Sequence, residues 1–326
     1  MEQQPLVSVN QLTTEFTTDA GIVRAVNDIS FDVFKGQTVC IVGESGCGKS
    51  ATAMSMMGLI DPAVAEVNGA VYFEGKDVLK MKKGEFRTIR GNDIAMIFQE
   101  PMTSLNPILT IGEQLMEPLR THLLLTKKEA KKRAIELIEL VGIGRSEAIF
   151  KSYPHQLSGG MLQRIMIAIA LSCDPKLLIA DEPTTALDVT IQAQILDLLQ
   201  TLKSEREMGL LFITHDLGVV AEIADYVIVM YAGKIVEHAP VVELFKQPKH
   251  PYTKGLLAAK PILNERKETL YTIPGQVPNL VDLSPSCYFS DRCAECFATC
   301  LTTPPSLKNI AEDHAVACWL YEEVHT

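Results

Sequence analysis

The stretch Gly43-Glu44-Ser45-Gly46-Cys47-Gly48-Lys49-Ser50 governs how this chain folds. Ahead of it, the apolar run Val39-Cys40-Ile41-Val42 reads as a buried strand. Behind it, Ala51-Thr52-Ala53-Met54-Ser55-Met56-Met57 reads as a helix closed by Gly58. Strand, glycine-rich turn and helix make the phosphate-binding pattern G-x-x-x-x-G-K-[ST]. The glycines let backbone N–H groups fold around an anion without Cβ clashes. The new helix adds its positive N-terminal end at the same point. Lys49 is expected to reach the β- and γ-phosphates, and the Ser50 hydroxyl to bind Mg²⁺. A chance match in a chain of this length is on the order of one per cent at ordinary Gly usage. The chain is expected to bind a nucleoside triphosphate.

The 326 residues suggest two domains, or one large domain with an appendage. With 47% hydrophobic and 21% charged residues, the chain has ample core. A net charge of −10 disfavours a polyanionic partner such as nucleic acid. The basic cluster Lys127-Lys128 with Lys131-Lys132-Arg133 is interrupted by Glu129 and reads as a solvated helix face. After Met1 no long apolar stretch follows, and the run Ile165 to Leu171 is far too short to span a bilayer. A cytosolic chain is expected, unless another subunit holds it at a membrane. Cys40, Cys47 and Cys173 are scattered, whereas Cys287, Cys293, Cys296, Cys300 and Cys318 crowd the end of the chain. In a reducing compartment such crowding points to metal rather than disulfides.

Short strand-like runs occupy Leu6–Val9 and Ile29–Val33, then Gly69–Phe73 and Ile94–Phe98. Gln99 follows at a strand end, leading into irregular chain to Pro107. From Ile111 the pattern turns helical: about Ile111–Leu124, Lys127–Val141, and a third helix from the Leu157–Met161 segment to about Ser172. Alternation then resumes with strand Leu177–Asp181, helix Ile191–Lys203, strand Leu210–Thr214 and strand Tyr226–Tyr231. The fold expected is α/β with a mostly parallel sheet and a helical insertion.

Asp181-Glu182 ends an apolar strand, where a carboxylate can face a bound nucleotide. Asp181 is expected to hold Mg²⁺, and Glu182 to orient the attacking water or accept its proton. Without the phosphate loop, the pair would read as a helix N-cap. Leu157-Ser158-Gly159-Gly160-Met161 opens a helix with Ser and two glycines, which alone would be only a loop.

Taken in order, these elements resemble the ATP-binding cassette (ABC) ATPases over Leu6 to about His238. The resemblance implies ATP and Mg²⁺ held by Gly43, Ser45, Gly46, Cys47, Gly48, Lys49, Ser50 and Ala51. It makes Gln99 the Q-loop glutamine and a Mg²⁺ contact, Ser158 and Gly160 the signature, and Asp181 and Glu182 the acidic pair. It makes Ala186-Leu187-Asp188 the D-loop, His215 the switch histidine at the γ-phosphate, and Phe16 the aromatic stacked on adenine. Met161 stands where Gln is commoner, and Cys47 where Ser is common. Cys47 is expected to tolerate this place, its thiol made more acidic by the helix terminus and Lys49. One loop and one signature per chain imply a second, homologous cassette, with Ser158 and Gly160 serving the partner's ATP.

Ile97-Phe98-Gln99-Glu100-Pro101-Met102-Thr103-Ser104-Leu105-Asn106-Pro107 and Pro248-Lys249-His250-Pro251-Tyr252-Thr253 are similar to the oligopeptide/dipeptide importer ATPases. Cys287, Cys293, Cys300 and Cys318, spaced C-x₅-C-x₆-C-x₁₇-C, are similar to the tail that binds a [4Fe–4S] cluster in that subfamily. Four thiolates also suit zinc, and Cys296 is an addition to the pattern. The organisation implied is a RecA-like P-loop core over 1–100 and 173–240, a helical signature subdomain over 101–172, and a small Cys-rich C-terminal extension over 241–326. The function implied is ATP hydrolysis that drives di- or oligopeptide uptake. The partners implied are two transmembrane permease subunits, a second ATP-binding subunit in a heterodimer, and an extracellular peptide-binding protein. The chain would sit on the cytoplasmic face of the cell membrane. An importer of nickel or another small solute, a soluble ABC ATPase, and a redox-sensing regulator built on the cysteine tail are the alternatives.

Overall fold

A computed structural model describes residues 4–185, 187–259, 271–281 and 283–321. The chain forms two compact units. One comprises mainly Lys80–Ile213, with Val33–Gln37 and the chain start to Leu6; the other comprises Val7–Asp32, Thr38–Leu79 and the chain from Thr214 onward.

Strand β1 (Val7–Thr18) pairs antiparallel with β4 (Ala65–Phe73), in a sheet ordered β2-β1-β4-β5 with β2 (Gly21–Val33) and β5 (Lys76–Asp77) at its edges. These strands are longer than the apolar runs foretold. Only one face of each is buried, so polar residues alternate along them and hide their length. In the same unit, β3 (Thr38–Val42) is buried at all five positions and runs straight into the phosphate-binding stretch.

The other unit carries three parallel strands in the order β8-β7-β6: β6 (Ile94–Ile97), β7 (Leu177–Asp181) and β8 (Gly209–Ile213). β7 and β8 are buried at every position, as continuous apolar runs demand in a covered parallel sheet. Its helices Ile111–His122 and Lys127–Leu140 each open on a capping box, Thr110 with Glu113 and Thr126 with Glu129. Glu129 thus starts its helix; its place among the lysines is a cap, not an incidental break in a charged face. The helix opening on the expected signature is Gly159–Ala170, and Val189–Arg206 follows β7.

Beyond Thr214 the chain adds β9 (Tyr226–Tyr231) parallel to β3, then β10 (Lys234–Pro240) antiparallel to β9. β11 (Lys308–Ala311) and β12 (His314–Val316) extend this edge in the order β11-β12-β10-β9-β3. Sheets in this chain are therefore mixed, more antiparallel than expected from the alternating pattern.

A buried carboxylate organises the turn after β10. Glu237, fully buried, accepts from the backbone N–H groups of Lys249 (2.7 Å) and His250 (2.9 Å). Its Oε1 also lies 2.9 Å from His314 Nε2 on β12. A buried charge survives only when so satisfied. Beside it, His250 Nδ1 accepts from Tyr252 N–H at 3.0 Å and caps the helix Pro251–Ala258. Burial, aided by the charge of Lys254, pushes the His250 pKa down to about 3. The unfolded chain therefore takes up a proton below about pH 6.5 that the folded chain refuses. This contribution is intact above pH 6.5 and shrinks as pH falls toward 3, by up to about 1.4 kcal/mol per pH unit. His250→Asn keeps an acceptor at the cap and removes the titration. Thermal melting between pH 7.5 and 5 should show a shallower acid-side loss in His250→Asn than in the wild type; equal slopes would refute the assignment.

Candidate functional site: a phosphate-binding loop and an acidic strand end

The loop leaves β3 at Val42 and enters the helix Lys49–Met56 through Gly48, whose φ is +106°. A Cβ at Gly48 would collide with the carbonyl oxygen of Ala25, so only glycine fits. Thr52 N–H donates to Gly48 O (2.9 Å), and Gly233 N–H donates to Cys47 O (3.0 Å). Lys49, only 5% exposed, folds back over the loop and donates to Gly43 O (2.8 Å) and Glu44 O (3.1 Å). Its ammonium therefore stands at the mouth of the loop, on bonds that an anion can replace.

Ser45 and Gly46 are exposed at the loop tip, and Ser50 is half-buried where the helix begins. Ala51 lies in the first turn of that helix. Phe16 is half-buried on β1, opposite Ala65. His215 is exposed one residue beyond the buried Thr214, whose N–H donates to Ile41 O at 3.2 Å.

The Cys47 thiol departs from expectation. It is buried, and burial pushes its pKa up, outweighing the nearby Lys49 ammonium 3.9 Å away. Desolvation of the thiolate wins over the charge and the helix terminus.

Tyr252, outside the loop, receives the N–H of Glu44 at its hydroxyl (2.8 Å). Burial raises the Tyr252 pKa, so it stays a phenol. Tyr252, Tyr231 and Phe289 pack with ring centroids 4.6 to 5.4 Å apart. Such pairs contribute about 0.5–1.5 kcal/mol each beyond their burial, which fixes the phenol beneath the loop.

In the other unit, Asp181 is buried at the end of β7 and Glu182 is half-buried beyond it. Glu182 adopts φ +47°, and its N–H donates to Ile213 O (2.9 Å). A non-glycine residue in that region costs on the order of 1–3 kcal/mol and is found where a side chain must be aimed. Two donors meet its Oε2: the Gln99 amide at 3.1 Å and the Thr185 hydroxyl at 2.9 Å. The structure thus brings together Gln99 and Glu182, 83 positions apart. Thr185 escaped the sequence reading because threonine beside an acidic pair reads as a turn.

Gln163, buried three residues after Gly160, donates to Pro183 O at 2.6 Å and ties the helix Gly159–Ala170 to the turn after Glu182. Its helical spacing from the signature was the available clue. Ser158 caps that helix, accepting weakly from Met161 N–H at 3.4 Å, and both Ser158 and Gly159 are exposed while Gly160 is half-buried. Asp188, exposed, caps Val189–Arg206 by accepting from Ile191 N–H (2.9 Å). Ala186, first residue of the expected D-loop, lies outside the described residues.

At the chain end, Cys287, Cys293, Cys300 and Cys318 line one cavity with Phe289, Phe297 and Trp319. Cys296 instead sets its Sγ 3.9 Å from Phe297 O. Burial pushes the Cys287 and Cys318 thiols up to about 11, with the neighbouring cysteines adding to it. Among the described residues, no three His, Cys, Asp or Glu side chains are arranged to hold a metal ion.

A glycine loop between a buried strand and a helix, with an acidic pair ending a parallel strand, defines a P-loop nucleotide-binding protein. The comparisons narrow this. The ABC transporter family model matches residues 26–185, and the model of the oligopeptide/dipeptide transporter C-terminal region matches residues 236–300. The oligopeptide transport ATP-binding protein AppD of Bacillus subtilis is 52% identical over 98% of this chain and 97% of its own. The dipeptide transport ATP-binding protein DppD of the same organism is 49% identical over 98% and 96%. Among solved structures, a dimeric ATP-binding cassette in a post-hydrolysis state with ADP and Pi matches with a TM-score of 0.66 at 28% identity, over 72% of this chain and 98% of that one. The chain belongs to the ABC transporter family, in the branch of oligopeptide and dipeptide transporter ATP-binding proteins, and is an ATPase of that family.

Gly48→Ala should destabilise the protein by roughly 2 kcal/mol, from left-handed strain and the clash at Ala25 O. A melting temperature unchanged within a degree would show that the loop can rearrange freely.

Proposed function

We propose that the chain is the ATP-hydrolysing subunit of an importer that drives di- and oligopeptide uptake through separate permease subunits. The observation that carries this reading is the double clamp of Gln99 and Thr185 on one oxygen of Glu182. Such a clamp aims the carboxylate that is to orient water and take its proton. Peptide-transport relatives that match along almost the whole chain support peptide as the solute. Nickel import and a soluble ABC ATPase are not favoured by those relatives.

Gly43, Ser45, Gly46, Cys47, Gly48, Lys49, Ser50 and Ala51 hold the phosphates in this reading, Phe16 the adenine and His215 the γ-phosphate. Mg²⁺, when bound, neutralises the phosphate oxygens; the Ser50 hydroxyl, Gln99 amide oxygen and Asp181 carboxylate are hard oxygen donors of the kind it takes. Lys49 screens the leaving group's charge, and Glu182 acts on the water. The exposed Ser158, with Gly160, serves the nucleotide of a second cassette, which makes the working unit a pair, heterodimeric by family habit, and Asp188 of the D-loop also faces nucleotide.

Met102 and Ile108, 68% and 78% exposed just after Gln99, are large apolar residues suited to cover by a permease subunit. Among the described residues no helix is long and apolar enough to cross a membrane. Docking on two permeases at the cytoplasmic face, with an external peptide-binding protein delivering solute, completes the reading. The partition into a core (1–100 and 173–240), a signature subdomain (101–172) and an extension (241–326) belongs to the same proposal.

Glu182→Gln, placed in the complete transporter, should keep nucleotide binding, lower hydrolysis at least about 10²-fold and stop uptake of a labelled dipeptide. Near-normal turnover would reject the role of Glu182, and uptake of nickel but not peptide would reject the solute.

A second reading concerns the cysteines. Four thiols that line one cavity are donors suited to a [4Fe–4S] cluster, with zinc as the alternative. The cluster would cross-link a segment poor in apolar residues. Protein purified without oxygen should be brown and carry about four irons per chain. Colourless protein with one zinc would establish zinc, and metal-free protein with unchanged melting would discard both. An ATPase rate that tracked oxidation of the tail would instead favour a redox regulator.

A further inference from the structure

We infer that Arg292 is a positioning residue of the phosphate-binding loop, acting through Glu44. Its guanidinium meets the Glu44 carboxylate with two bonds, Nη1 to Oε2 at 2.6 Å and Nη2 to Oε1 at 3.0 Å. The Arg292 side chain is 5% exposed, and it is 248 positions from its partner. Nε donates to Pro274 O (2.8 Å), Nη1 reaches the Tyr231 hydroxyl (3.3 Å), and the guanidinium lies 5.7 Å and 5.9 Å from the Tyr231 and Phe289 rings. Gly275, at φ +76°, leaves room for the stem: an added Cβ would stand 3.1 Å from Arg292 Cγ.

Glu44 is consequently fixed at three points. Arg292 takes its carboxylate, Tyr252 accepts its N–H, and Lys49 takes its carbonyl. The arrangement does two things for a triphosphate. It holds the loop between Gly43 and Gly46 in one conformation, so the N–H groups beyond it are presented without further ordering. It also cancels a carboxylate lying in the loop that must receive a polyanion. A bidentate guanidinium does both, whereas an ammonium supplies charge without the fork.

The inference rests on Gly43–Ser50 being the triphosphate site. Binding of a fluorescent ATP analogue with Mg²⁺ to the full-length wild type, and its loss in Lys49→Ala, checks that separately. Arg292→Met should then weaken binding about tenfold or more, the loss of one charge-assisted pair. Glu44→Gln alone should weaken it by less, since the amide oxygen still accepts one of the two bonds. The double variant Glu44→Gln/Arg292→Met should recover to within about threefold of the wild type, because the uncompensated charge has gone with its partner. A merely structural Arg292 would give no such rescue. Wild-type affinity in Arg292→Met, or a double variant as weak as Arg292→Met, would overturn the inference. Should Arg292→Met fail to fold, Arg292→Lys decides: the KM for ATP should rise several-fold with kcat held, and an unchanged KM or a fall in kcat alone would count against it.

Discussion

A loop that binds a polyanion must turn its N–H groups toward the ligand, and so cannot spend them on bonds that would hold its own shape. Its conformation has to be imposed from outside. Here β3 fixes one end and the helix Lys49–Met56 the other, while Gly48 lies against Ala25 too closely for any side chain. Gly233 N–H pins Cys47 O, and the Tyr252 hydroxyl and Arg292 guanidinium pin Glu44. Each constraint uses a carbonyl, a carboxylate or the one N–H at Glu44. The N–H groups of the tip residues Ser45 and Gly46 carry none of these bonds.

The same logic applies at the end of β7. A carboxylate that works on water must be aimed before the water arrives. Glu182 sits at φ +47°, a conformation that costs free energy unless neighbours enforce it. Its N–H bond to Ile213 and the pair of donors on Oε2 supply that enforcement. Gln163 adds a second tie, holding Pro183 from the helix Gly159–Ala170. A shift of the helix Gly159–Ala170 would therefore be felt at the turn that carries Glu182, without any contact to the carboxylate itself.

Much of this was legible in the residues. β3, β7, β8 and β9 are short apolar runs because they are buried at nearly every position, and such runs stand out. β1 and β2 were seen only in fragments, since one face of each carries polar side chains. β10 was missed because its centre is Glu237, a residue that belongs inside only when His314 and two backbone amides meet it. The Cys47 thiol was misread for a related reason: lysine and helix terminus are visible in sequence, but the burial that outweighs them is not. Charge pairs such as Arg292 with Glu44 leave no local pattern, since nothing in either neighbourhood specifies a partner 248 positions away.

That last pair alters what the end of the chain is for. A cysteine-rich tail suggests an appendage whose chemistry is its own. Yet Arg292 directly precedes Cys293, Tyr252 lies in the helix capped by His250, and both reach the loop within one compact unit. The segment is poor in apolar residues and is held instead by buried polar nodes at Glu237 and Arg292, with Tyr231, Tyr252 and Phe289 packed between them. Polar nodes of this kind tolerate little displacement, because a partner moved away leaves a buried charge unsatisfied. Arg292, one residue before Cys293, thus ties the cysteine-bearing segment through Glu44 to the loop Gly43–Ser50.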